Sequence, residues 1–141
     1  MAYVSTFVYS DSVQTELGPN GPKQTIVTPL IHFSPMFIPG NFSFAVTYGI
    51  MDLRENSNHE LQFIFKSPVN EQLLIDSGNV QINVGPNLTG NNMPEHAQGV
   101  IVQMDFRNIA FRVEGIYKSE VILNGKSLGE FPIPVYGKEK L

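Results

Sequence analysis

The chain contains no cysteine. Disulfides cannot hold its fold, and thiolate chemistry is excluded. No window is long and apolar enough to span a bilayer as a helix. The opening MAYVSTFVYSD lacks the basic segment and continuous apolar run of a secretory signal. A cytoplasmic protein is the expectation. Charge is scarce as well: Asp, Glu, Lys and Arg make up 16% of the 141 residues, and the net charge is −4. Lys and Arg form no cluster, which argues against nucleic-acid and anionic-membrane partners, because both surfaces attract basic groups. A surface so thinly charged repels its neighbours weakly and favours self-association.

Helical periodicity is missing too. No stretch carries a 3.6-residue apolar stripe of helical length, and β-branched residues with Gly99 crowd the one candidate, residues 94–102. What the chain has instead is alternation. In residues 2–9, Tyr3, Ser5, Phe7 and Tyr9 share one face of a strand. Ser10-Asp11-Ser12 reads as a turn, and LGPNGP (residues 17–22) as a loop. A second strand follows near residues 25–33, where Pro29 demotes it to an edge or breaks it. Residues 33–40, FSPMFIPG, form a punctuated connection. NFSFAVTYGI is the clearest strand: Phe42, Phe44, Val46, Tyr48 and Ile50 point inward, and Ser43, Ala45, Thr47 and Gly49 form a small-residue outer face. HELQFIFK alternates again, with Leu61, Phe63 and Phe65 on one side. Ser67 to Asn70 reads as a turn. Short strands follow around residues 72–75 and 80–84. The polar run of residues 85–99 reads as the longest loop and a mobile one. Val100, Val102, Met104 and Phe106 then alternate, and Ile109, Phe111 and Val113 resume the period after a break at Arg107-Asn108.

The last stretch, GIYKSEVILNGKSLGEFPIPVYG, is a hairpin. Asn124-Gly125 supports the positive φ values of a tight turn. Leu128 is out of phase with Phe131, Ile133 and Val135, which calls for a bulge near residues 127–129 or a longer turn. Pro132 and Pro134 remove two backbone donors from one side of the final strand. That strand should therefore be a sheet edge. Many short strands between Gly, Pro and Asn turns predict one all-β domain over residues 1–141: a two-layer antiparallel sandwich of seven to nine strands. Lys138 and Lys140, interrupted by Glu139, read as a flexible tail from about residue 137.

The segment Phe111-Arg112-Val113-Glu114-Gly115-Ile116-Tyr117, followed by Val121, Leu123 and Gly125, resembles the closing hairpin of immunoglobulin-like sandwiches. The resemblance implies that Gly115 opens the turn and that the Tyr117 hydroxyl bonds nearby backbone. A wider likeness covers most of the chain: FVYSDSVQTE, residues 42–50 with Asp52, His59-Glu60-Leu61 and the closing hairpin together resemble a group of small bacterial immunoglobulin-like proteins with no established activity. That likeness implies a fold and leaves function open.

Motifs for chemistry are absent. His32, His59 and His96 have no second ligand at a metal-binding spacing, so neither a metal nor a cofactor is expected. The scattered Asp and Glu residues include no paired set, although sandwich loops could gather two for a hydrolase. No Ser sits on a Gly-flanked strand-to-helix elbow, and no Gly-rich turn opens a helix to cradle phosphate. Asn41-Phe42-Ser43 and Asn87-Leu88-Thr89 are chance glycosylation triplets in a cytoplasmic chain. Tyr9, Tyr48, Tyr136 and Phe37 either pack or line a ligand patch. Met36, Phe37 and Ile38, between two prolines, either plug one end of the sandwich or form a contact surface; the plug is favoured. The leading expectation is a non-enzymatic module that contacts another protein, its own copy included. A carbohydrate or small-ligand binder and a loop-built carboxylate hydrolase are the alternatives. A phage or mobile-element role, such as an inhibitor of a host system, is compatible with the sequence but has no warrant in it.

Overall fold

A computed structural model describes residues 1–54, 56–85 and 94–140. Residues 86–93, which hold most of the expected long loop and the second glycosylation triplet, lie outside it. Nine strands follow one another along the described residues: β1 (Tyr3–Gly18), β2 (Gly21–Leu30), β3 (Gly40–Met51), β4 (Ser57–Lys66), β5 (Leu73–Asp76), β6 (Val80–Val84), β7 (Gly99–Phe111), β8 (Gly115–Leu123) and β9 (Lys126–Val135). A single 3-10 turn, Glu95–Ala97, precedes β7. One sheet runs β2-β1-β3-β7. The other runs β5-β4-β8-β9, with β6 sharing the β5 side of β4. Every named strand pair is antiparallel.

The two sheets face each other across an aromatic core. Phe44, Tyr48 and Phe111 from the first sheet, and Phe63, Phe65 and Tyr117 from the second, are fully buried. Each such side chain contributes about 1.5–3 kcal/mol by leaving water. Phe44 and Phe65 meet across the layers with ring centroids 5.2 Å apart, and Phe7 stacks on Phe131 at 4.3 Å. Phe131 is half-buried against the same cluster. Period two thus delivers one side of each central strand to a common interior.

The closing hairpin matches its sequence. Leu123 pairs with Lys126 around a two-residue turn, with φ of 52° at Asn124 and 79° at Gly125. The register slips by one where Val121 faces Gly129 and Ile122 faces Ser127, so Leu128 is the extra residue of a bulge. Pro132 and Pro134 stand opposite Lys118 and Ile116, and β9 ends its sheet. The Tyr117 hydroxyl donates to the Val113 carbonyl at 2.7 Å, which is the corner expected of an immunoglobulin-like sandwich. Gly115, at φ 145°, opens that corner, and a Cβ there would meet Pro68 at 2.9 Å. Asn108, at φ 56°, is the predicted break in β7, where the ladder to β3 shifts register.

Four expectations are corrected. Ser10, Asp11 and Ser12 do not turn; they continue β1, and Ser10 and Ser12 pair with Pro29 and Val27 of β2. LGPNGP is not a broad loop, because the ladder runs to Gly18 opposite Gly21 and leaves only Pro19-Asn20 as the turn. β3 pairs with β1 only as far as Ser10, so the rest of β1 and its partner form a two-stranded ribbon beyond the sheet. The outer face of β3 is not a solvated small-residue face: Ala45, Thr47 and Gly49 are buried. Finally, the residues after 136 do not trail away. Lys138 and Glu139 donate backbone N–H bonds to the carbonyls of Pro35 and Met36, and Glu114 accepts from Gly137 N–H and Lys140.

Candidate functional site

A serine, a histidine and an asparagine do come together. Ser57 and His59 are two apart on β4, so they share a face. The Asn124 turn closes over them, with Ser57 Oγ 2.9 Å from His59 Nε2 and Asn124 Nδ2 2.9 Å from His59 Nδ1. The bonding pattern runs opposite to that of a nucleophile activated by a base. Glu60 N–H can only donate, and it donates to the Asn124 side chain at 2.9 Å, which fixes that atom as oxygen. The amide nitrogen therefore faces His59 Nδ1, which must accept. The proton sits on Nε2 and is donated to Ser57, whose own hydroxyl donates to the Arg54 carbonyl. His59 in this tautomer cannot take a proton from Ser57. The row is a clasp between the last hairpin and the start of β4.

Acidic side chains also converge, but on a cation. Glu120 and Glu130 face each other across β8 and β9. Lys66 lies between them, 3.4 Å from Glu120 and in contact with Glu130. The bond to Glu130 holds the Lys66 ammonium above its ordinary value against the opposing effect of desolvation. The same bond holds Glu130 below the usual carboxylate range. One ammonium thus bridges two carboxylates, each of them ion-paired, which is not the arrangement of a free acid–base couple. Among the described residues, no three His, Asp or Glu side chains gather as metal ligands.

The remaining candidates are apolar. The end of the sandwich is plugged by Phe33, which is fully buried and bridges Val135, and by Ile38, which packs on the core. Met36 and Phe37 stay exposed at 55% and 41%, and Tyr136 beside them at 49%. Of the three residues, Ile38 thus packs inward, while Met36 and Phe37 lie at the surface. Tyr9 and Tyr48 belong to the interior, where burial raises both phenols. Tyr117, Asn124, Gly125, Pro132 and Pro134 serve the closing hairpin as described above.

The sequence reading missed a groove on the outer face of the first sheet. It has a volume of about 470 Å³, with Thr47 and Gly49 on its floor and Val8, Ile26, Met51 and Ile101 among its walls. The floor needs small residues: a Cβ on Gly49 would come within 2.8 Å of Ser5 Oγ. Ile26 belongs to the β1–β2 ribbon and Ile101 to β7, at opposite margins of the sheet. An apolar concavity on what should be the wet face of a sandwich is the least expected surface of the molecule. Its signal was present in the sequence as Val8 and Ile101 on outward-facing positions, above the small residues of β3.

These features define an all-β, two-layer immunoglobulin-like sandwich with an apolar outer groove. No protein-family model matches the chain, and no curated protein matches it. Among solved structures it is similar to the alkylpurine DNA glycosylase AlkC of Pseudomonas fluorescens, bound to DNA containing an abasic site analog. That likeness has a TM-score of 0.50 at 7% identity over 95% of this chain, and the chain spans only 30% of the glycosylase. It is also similar to an immunoglobulin-like protein of Pseudomonas aeruginosa, with a TM-score of 0.45, 13% identity and coverage of 96% and 97% of the two chains. At 7% identity the likeness to the glycosylase concerns the fold alone.

Proposed function

We propose that the protein is a non-enzymatic binding module whose outer groove receives an apolar side chain of a partner protein. The groove between Ile26 and Ile101 carries this reading. Its walls are aliphatic, and its one aromatic, Tyr48, is a buried core residue. A sugar site would present exposed aromatic faces and convergent polar groups. A protein contact needs a desolvated apolar pocket with an aliphatic rim. The clasp at His59 and the ion-paired carboxylates at Lys66 speak against the hydrolase alternative. The sparse charge and net −4 favour a protein partner over nucleic acid or a membrane surface, and a cytoplasmic setting is part of the same proposal. We also group the chain with the small bacterial immunoglobulin-like proteins that its opening and closing segments resemble.

The test is quantitative capture followed by binding with the purified partner. Wild type should retain a protein that Ile101→Asp and Ile26→Asp release, with affinity for the purified partner reduced by about tenfold or more. Equal binding by all three would overturn the reading. Saturable binding of an oligosaccharide that is lost in the same variants would replace it with the ligand alternative.

A further inference from the structure

Sheet edges are where chains join, and proteins normally blunt them with prolines, lysines, bulges or short strands. Among the described residues, the outer edges of the two sheets are blunted except β7; the part of β1 beyond Ser10, which pairs only with β2, is a second open edge, on the ribbon. β2 carries Pro22 and Pro29. β9 carries Pro132 and Pro134, and beside them Phe33 accepts from Tyr136 N–H and donates to the Pro134 carbonyl. On the other margin of that sheet, β5 and β6 have only four and five residues. β7 has thirteen, and its first eight, GVIVQMDF, contain no proline, lysine or bulge before the break at Asn108. Among the described residues, β7 pairs only with β3. Its inward-facing side chains Val100, Val102, Met104 and Phe106 are only half-buried, whereas Phe44, Val46, Tyr48 and Ile50 of β3 are sealed. Leu74, Ile82 and Val84 across the seam are half-buried too. Among the described residues, neither the backbone nor the core is completed along this margin.

We propose that β7 pairs antiparallel with β7 of a second copy, joining two four-stranded sheets into one of eight strands. This reaches beyond the groove, since it uses backbone groups of an edge rather than side chains of a face. A two-fold axis normal to the sheet keeps inner faces together, so partners must sit at positions of the same parity. With the axis at Gln103, Val102 faces Met104 of the second copy and Val100 faces its Phe106. Apolar residues then meet apolar residues on the inner side. The two Gln103 side chains meet on the axis; each amide donates one hydrogen to its own Thr47 Oγ1 at 3.4 Å and keeps a second donor and its oxygen. Charge permits this register: each Asp105 has its own Arg107 at 2.9 Å. The two Asp105 carboxylates lie four residue steps apart, about 13 Å, which exceeds the screening length of about 8 Å at physiological salt.

The test uses the full chain and exploits its lack of cysteine. Light scattering should find the mass doubling with concentration, and Gln103→Lys, which sets two ammonium groups against each other on the axis, should raise the midpoint concentration by about tenfold or more. Gln103→Cys should oxidise to a linked dimer, since directly opposed strand residues lie within disulfide reach. Lys118→Cys, on the exposed face of the other sheet, should not. A monomer up to millimolar concentration, or equal crosslinking at both positions, overturns the proposal. A dimer indifferent to Gln103→Lys overturns it as well. A protein that stays monomeric yet binds its partner through Ile101 overturns the dimer alone. A dimer whose partner binding survives Ile101→Asp overturns the groove alone.

Discussion

The hydroxyl of Tyr9 in one sheet lies 2.7 Å from Ser119 Oγ in the other, both of them buried. It also lies 2.5 Å from the Phe131 carbonyl. A phenol has one proton and a carbonyl can only accept, so Tyr9 donates to Phe131 and accepts from Ser119. One side chain therefore ties β1 to both β8 and β9 through the interior. Tyr9→Phe keeps the ring and strands two polar groups, so it should cost about 1–3 kcal/mol in urea denaturation. Ser119→Ala should cost less, because the Phe131 carbonyl keeps its donor. A double-mutant cycle should give a coupling energy well above zero.

Asn124 holds φ of 52°, accepts from Glu60 N–H and donates to His59. Asn124→Ala loses both side-chain bonds and meets left-handed strain, for a loss of about 2 kcal/mol. Asn124→Asp retains the acceptor for Glu60 and loses only the donor to His59, so it should fall between Ala and wild type. Equal stability of the Ala variant would remove the clasp from the account.

The Lys66 cluster should set the sign of the acid response. Glu130 is depressed in the fold, chiefly by its bond to Lys66. Its stabilising contribution is therefore present above the unfolded carboxylate value of about 4.3 and is lost as pH falls through the lower folded value. Lys66 is raised, so its contribution holds below the unfolded lysine value and fades as pH rises through the folded one. Lys66→Met removes the bond that depresses Glu130 and leaves it facing Glu120 without that cation, so Glu130 should rise. As pH drops below about 4.3, melting temperature should fall in wild type and rise, or fall less, in Lys66→Met.

Gly99 begins β7, where a Cβ would stand 2.1 Å from the Ile50 carbonyl oxygen and 2.9 Å from Met51 Sδ. Backbone cannot yield as a flexible side chain can. Gly99→Ala should cost about 1–3 kcal/mol and weaken exchange protection first at the Gly99 end of the β3–β7 ladder. Gly125→Ala, at φ 79° with open space around it, should be strained by the turn alone.

The fold was largely legible because its signals are local. Asn124-Gly125 specified the hairpin, the phase of Leu128 located the bulge, and Pro29, Pro132 and Pro134 marked β2 and β9 as edges. The errors came from long-range pairing. Ser10-Asp11-Ser12 has the composition of a turn, yet the β2 ladder holds it extended, and no local pattern announces a partner. The residues after 136 look like a solvated tail, but their bonds go to Pro35 and Met36, a hundred positions away in sequence. The groove escaped for the same reason: Val8, Ile26 and Ile101 come from three strands, and only the sheet order brings them together over Thr47. Ser57, His59 and Asn124 could be found singly but not joined, since a turn far along the chain supplies the third.

The β1–β2 ribbon leaves the sandwich with its ladder intact as far as Gly18 and Gly21. Its root is anchored by Ile26 at the groove, while Leu17 near the tip is 89% exposed. The tip between Pro19 and Asn20 is thus a natural graft point for a reporter or a foreign epitope. A cargo placed there would be displayed on a stalk, away from both the aromatic interior and the β7 margin.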